Sequence, residues 1–142
     1  MTEKVLLVDD EKDFIETLAE RMRTRGMNVE TTTSPKDALQ KTEYESFDVI
    51  VLDLMMPEMD GLKTMAALKE KNPDLQVILL TGHATVEKGI AAMKLGAVDF
   101  LEKPIDLKVL SEKIKKAKAQ KMIIVEKKTE DKLREILEDK GW

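Results

Sequence analysis

Short aliphatic runs alternate with amphipathic stretches over the first 105 of the chain's 142 residues. The runs at 4–8, 27–32, 48–53, 76–81 and 97–101 are predicted strands. Val5-Leu6-Leu7-Val8 and Val49-Ile50-Val51-Leu52 are apolar at every position, the pattern of strands covered on both faces in a parallel sheet. Between the strands, Phe14, Ile15, Leu18 and Met22, and later Leu62, Met65, Ala66 and Leu68, recur at helical spacing. Met65, Ala66 and Leu68 are expected to face the core. Ser34-Pro35 offers an N-cap followed by proline at the first helical position, opening a helix through Ala38-Leu39. Asp60-Gly61 marks a turn before the third helix, and Asn72-Pro73-Asp74 stops it. Gly26 and Gly96 fall just past helical stretches, where a left-handed C-cap costs least. Five βα units predict an α/β fold with helices on both faces of one sheet.

Beyond Pro104, residues 107–121 form an amphipathic helix with Leu107, Leu110, Ile114 and Ala117 on one face. Met122-Ile123-Ile124-Val125 is apolar without a period, and 129–139 is helical again, with Leu133, Ile136 and Leu137 on a stripe. The tail is expected to be one long helix broken near 122–128, or two helices. The chain thus divides into a main unit at 1–121 and a helical extension at 122–142 that could continue the last helix. A lone amphipathic helix leaves its stripe uncovered. It is expected to pair in a homodimer, through the fourth-helix, fifth-strand, fifth-helix face or the C-terminal helix, or else to fold onto its own domain.

Composition narrows the chemistry. Hydrophobic residues make up 42% with few aromatics, so the core should be aliphatic. The absence of cysteine excludes disulfides, thiolate metal sites and a cysteine nucleophile, and the single histidine, His83, cannot build a multi-histidine zinc site. No apolar run approaches the ~20 residues of a membrane span, and Met1-Thr2-Glu3-Lys4 leads straight into strand-like sequence without a signal peptide. A cytoplasmic protein with no membrane association is expected. The net charge of −4 divides into −7 over residues 1–105 and +3 over 106–142. The basic excess reads as a solvated helix face more readily than as a docking site for an acidic partner. Residues 122–142 are too few for a DNA-binding domain, so no direct nucleic-acid binding is expected. A nucleotide-binding reading is weak without a glycine-rich phosphate loop.

Functional groups collect at the carboxyl ends of the predicted strands: Asp9 and Asp10, then Asp53, Thr81 and Lys103. Open α/β sheets place their sites there. Clustered carboxylates repel, so they need a cation or a raised pKa. Three of them suit a hard divalent ion such as Mg²⁺. A lysine and a hydroxyl opposite that ion suit phosphoryl oxygens. The chemistry implied is phosphoryl transfer to an aspartate, forming an acyl phosphate.

The segments Val5-Leu6-Leu7-Val8-Asp9-Asp10-Glu11, Asp53-Leu54-Met55-Met56-Pro57-Glu58-Met59-Asp60-Gly61, Leu80-Thr81-Gly82 and Phe100-Leu101-Glu102-Lys103-Pro104 resemble the receiver domain of two-component response regulators. The resemblance covers about residues 3–121. It implies a (βα)5 flavodoxin-like, doubly wound parallel sheet with strand order 2-1-3-4-5. It also implies that Asp53 accepts a phosphoryl group from a phosphohistidine on a sensor histidine kinase. Mg²⁺, with Mn²⁺ as a substitute, would be held by Asp10, Asp53 and the backbone carbonyl of Met55, with Asp9 acting largely through a metal-bound water. Lys103 would pair with the phosphoryl oxygens, and the Thr81 hydroxyl would move to bond one of them. Phe100 holds the position of the switch aromatic, and Lys103-Pro104 would be a cis peptide, an option open to proline. Met55 and His83 flank the approach to the phosphoryl group, where they would tune its exposure to water. His83 either handles water or faces solvent as an ordinary loop residue. Glu11 either reaches the metal through water or favours the helix dipole from the first turn.

The receiver resemblance implies a switch whose fourth-helix, fifth-strand, fifth-helix face signals to a downstream protein. It implies no enzyme beyond its own phosphorylation and dephosphorylation. The alternative is an aspartyl-phosphate-type, Mg-dependent phosphohydrolase acting on external substrates. Such enzymes typically need a carboxylate two residues beyond the nucleophile, where this chain has Met55. The segment Thr81-Gly82-His83-Ala84-Thr85-Val86-Glu87, with Gly89 and residues 97–104, is similar to receivers of regulators that carry an ATPase and a DNA-binding domain downstream.

Overall fold

The computed structural model describes residues 2–54, 61–82 and 86–139. Strands and helices alternate throughout: β1 (Lys4–Val8), α1 (Lys12–Thr24), β2 (Asn28–Thr32), α2 (Pro35–Tyr44), β3 (Val49–Asp53), α3 (Gly61–Lys71), β4 (Val77–Thr81), α4 (Val86–Lys94), β5 (Asp99–Glu102) and α5 (Leu107–Asp139). The five strands form one parallel sheet in the order β2-β1-β3-β4-β5. This is the (βα)5 flavodoxin-like arrangement.

The continuous apolar strands follow from covering the sheet on both sides. Val5 and Leu7 of β1 pack with Ile15, Leu18, Ala19 and Met22 of α1 and with Leu110, Ile114 and Ala117 of α5. Leu6 and Val8 point the other way, into a layer with Ala38 of α2, Met65 and Leu68 of α3 and Ala92 of α4. Every residue of β3 and β4 is buried. Each Leu or Ile so enclosed contributes roughly 1.5–3 kcal/mol relative to exposure.

Local signals fix the helix ends. Ser34 accepts a hydrogen bond from the Asp37 backbone N–H, and Pro35 opens α2. Gly26 and Gly96 have φ of +91° and +104°, the left-handed conformation expected where helices stop. Ala66, expected to face the core, is exposed. The inward face of α3 is Gly61, Thr64, Met65 and Leu68, and Ala66 lies about 100° around the helix from Met65.

The tail continues the last helix, one of the expected courses, but without the expected break. Helix α5 runs unbroken for 33 residues, about 50 Å, with no interruption at 122–128. Its middle is tied across the amino ends of the strands. Lys118 donates to the Thr2 carbonyl and lies 3.5 Å from the Asp48 carboxylate, Lys121 donates to the Phe47 carbonyl, and Lys128 pairs with Asp74. The stripe does not fold onto its own domain: Leu133, Ile136 and Leu137 are exposed.

Candidate functional site

In a parallel sheet of this order the strand order reverses between β1 and β3, and a crevice opens there beyond the carboxyl ends. Asp9 follows β1 directly, and Asp53 and Thr81 are the last residues of β3 and β4. Lys103 follows β5, its backbone N–H bonded to the Thr81 carbonyl at 2.8 Å. The five residues singled out in the sequence therefore share one end of the molecule.

Carboxylate oxygens of Asp9, Asp10 and Asp53 all lie within 4.8 Å of one another. Asp9 and Asp53 are buried, at 1% and 3% exposure, while Asp10 faces solvent. Three hard oxygen donors at this spacing fit one divalent cation of the Mg²⁺ class, reached from the Asp10 side.

Lys103 supplies the opposing charge. Its ammonium donates to Asp9 at 2.8 Å and to Glu11 at 3.1 Å, and lies 4.3 Å from the centre of the Phe14 ring. Burial disfavours its charged form, but the hydrogen bonds to Asp9 and Glu11 and the charges of Asp9 and Asp53 outweigh that, and its pKa is raised. Glu11 stands at the N-cap position of α1 without capping through its side chain, and instead pairs with Lys103. Neither the Glu11 pairing nor the Phe14 contact carried a signal in the sequence, since both partners lie about 90 residues from Lys103.

Phe100 is half-buried on β5 and packs with the α2–α4 layer. Its ring also sits against Gly89 of α4, where an added Cβ would come within 3.1 Å of it. The Lys103–Pro104 peptide is cis. Met55 and His83 lie outside the described residues, as does the segment from Met56 to Asp60.

Burial raises the pKa of Asp9, against the pull of Lys103 and the Glu11 backbone N–H. The folded, metal-free protein therefore holds a proton on Asp9 more tightly than the unfolded chain does. Stability from this group is full below the ordinary value of 3.8 and is lost as pH rises through the raised one. Asp9→Asn removes the buried charge. Its metal-free melting temperature is expected to lie above that of the wild type at pH 7, with the gap closing as pH falls toward the carboxylate range. Thermal melts across that range check this; a variant that melts lower at pH 7 contradicts it.

The family model described as "Response regulator receiver domain" matches residues 5–115. The transcriptional regulatory protein ZraR of Escherichia coli K12 is 36% identical over 115 residues, covering 81% of this chain and 26% of ZraR. This chain thus spans about a quarter of that relative's length. Among solved structures, a response regulator receiver domain protein from Clostridium thermocellum superposes with a TM-score of 0.81 at 33% identity, covering 86% of this chain and 98% of the other. The BeF3-activated DrrB receiver domain superposes with a TM-score of 0.73 at 31% identity, covering 82% and 97%. By its family match, its strand order and the acidic cluster at the carboxyl edge, the chain belongs to the response regulator receiver domains.

Proposed function

We propose that Asp53 accepts a phosphoryl group from a sensor histidine kinase and that the acyl phosphate biases this domain between two states. The observation that carries this reading is the convergence of Asp9, Asp10 and Asp53 within 4.8 Å, with Lys103 tied to the same cluster. An Asp53 carboxylate oxygen forms a bond to phosphorus as the P–N bond of the phosphohistidine breaks, its electron pair returning to the imidazole. Bound among Asp9, Asp10 and Asp53, Mg²⁺ or Mn²⁺ would offset the charge of acceptor and phosphoryl group. Lys103 neutralises phosphoryl charge from the other side. Thr81 ends β4 next to Lys103 and offers a hydroxyl to a phosphoryl oxygen. Phe100 links that change to α4 through its contact with Gly89, so the α4-β5-α5 face is the surface a downstream protein reads. The receiver unit is residues 1–121, with 122–142 as an extension.

Incubation with acetyl phosphate and Mg²⁺ tests the reading. One phosphoryl group per chain is expected on Asp53, retained through denaturation in acid and lost in base. Continuous release of phosphate without a stable stoichiometric adduct favours the phosphohydrolase instead.

A further inference from the structure

Lys103 is already engaged before any phosphoryl group arrives. An ammonium carries three protons. One goes to Asp9 at 2.8 Å and one to Glu11 at 3.1 Å, while the Phe14 ring lies 4.3 Å away. The third can turn to one phosphoryl oxygen, and a second bond to the phosphoryl group requires Lys103 to give up a carboxylate.

The two carboxylates differ in how readily they let go. The Asp9 side chain is 1% exposed, and its second oxygen accepts the Glu11 backbone N–H at 2.8 Å. Separating it from Lys103 strands a buried charge. The Glu11 side chain is 63% exposed, so water replaces its contact at small cost. Glu11 is therefore the partner that yields.

We propose that Glu11 is a positioning residue that holds Lys103 in reserve and competes with the incoming phosphoryl group for it. The inference rests on Asp53 being the acceptor. With acetyl phosphate, the new bond joins Asp53 oxygen to phosphorus, and the bond that breaks sends its electron pair out with acetate. Glu11 makes and breaks no covalent bond. Its carboxylate acts on the binding of an anionic donor, through Lys103, and leaves the bond-changing step alone. Its side chain caps no helix N–H, so replacing it removes no support from α1.

The test measures Asp53 phosphorylation by acetyl phosphate at saturating Mg²⁺ in the wild type, Glu11→Gln, Lys103→Met and the double variant. Glu11→Gln is expected to lower KM about 2- to 5-fold with the maximal rate unchanged, and the effect should grow at low ionic strength. In the Lys103→Met background the same substitution should change KM no further. An unchanged KM in Glu11→Gln overturns the proposal. So does an equal fall in the Lys103→Met background, which would make Glu11 merely one more repelling charge. Absence of any adduct on the wild type instead brings down the reading of Asp53 on which the inference rests.

Discussion

Asp53→Asn is expected to take up no phosphoryl group from acetyl phosphate or a phosphorylated kinase, a loss of at least about 10³-fold. The carboxamide lacks the negative charge that makes the carboxylate a nucleophile. Its replacement cannot come from the neighbours, although Asp9 and Asp10 lie within 4.8 Å. Asp9 is tied to Lys103 and to the Glu11 backbone, and Asp10 stands at the exposed mouth. The variant should still fold, because removing one of three clustered carboxylates relieves repulsion in the metal-free state. Intact-mass measurement after acetyl phosphate treatment, beside a thermal melt, separates lost chemistry from lost structure. A wild-type level of adduct on a folded variant removes Asp53 as the acceptor.

Much of this architecture was legible because its signals are local. β1 and β3 carry unbroken aliphatic runs at 5–8 and 49–52 since both their faces are covered. The aspartates that the sequence marked follow directly, Asp9 just past β1 and Asp53 as the last residue of β3. Ser34-Pro35 and the two positive-φ glycines declare helix ends through their own backbone chemistry. Where the sequence misled, a longer-range cause decided. Met122-Ile123-Ile124-Val125 has no period, yet α5 runs through it. The residues around it are good helix formers, no Gly or Pro interrupts them, and Lys118, Lys121 and Lys128 tie that region to the sheet's amino end. Ala66 misled because alanine suits either face of a helix, and only the packing of Met65 and Leu68 shows which face is inward. The parts of the site read as single residues at strand ends were visible. The Glu11–Lys103–Phe14 arrangement was not, because it joins the first helix to the loop after the last strand.

Gly61→Ala is expected to be the most damaging single-methyl addition at any described glycine outside the left-handed positions. A Cβ at Gly61 would lie 2.5 Å from the Leu54 Cα, 2.6 Å from the Leu54 carbonyl oxygen and 2.7 Å from that of Asp53. All three are backbone atoms, and none can rotate away as a side chain would. The Gly61 N–H also bonds to the Leu54 carbonyl at 3.1 Å, so the start of α3 is fastened to the end of β3 where the methyl must go. Relief requires moving α3 away from β3, which loosens Met65 and Leu68 in the core. Overpacking of this kind costs about 3 kcal/mol. Gly82, beside Thr81 at the same end of the sheet, is the control: a Cβ there meets nothing within 4 Å among the described residues, and Gly82→Ala should stay within about 0.5 kcal/mol of wild type. Urea titration reads both as shifts in midpoint at constant slope. Because the displaced backbone carries Asp53, Gly61→Ala should also slow phosphorylation in the fraction that remains folded, whereas a loss of stability alone would leave that fraction's rate unchanged. Equal midpoints for the two variants would mean that α3 yields without cost, and the close approach of Gly61 to Leu54 would then have no part in holding the acceptor in place.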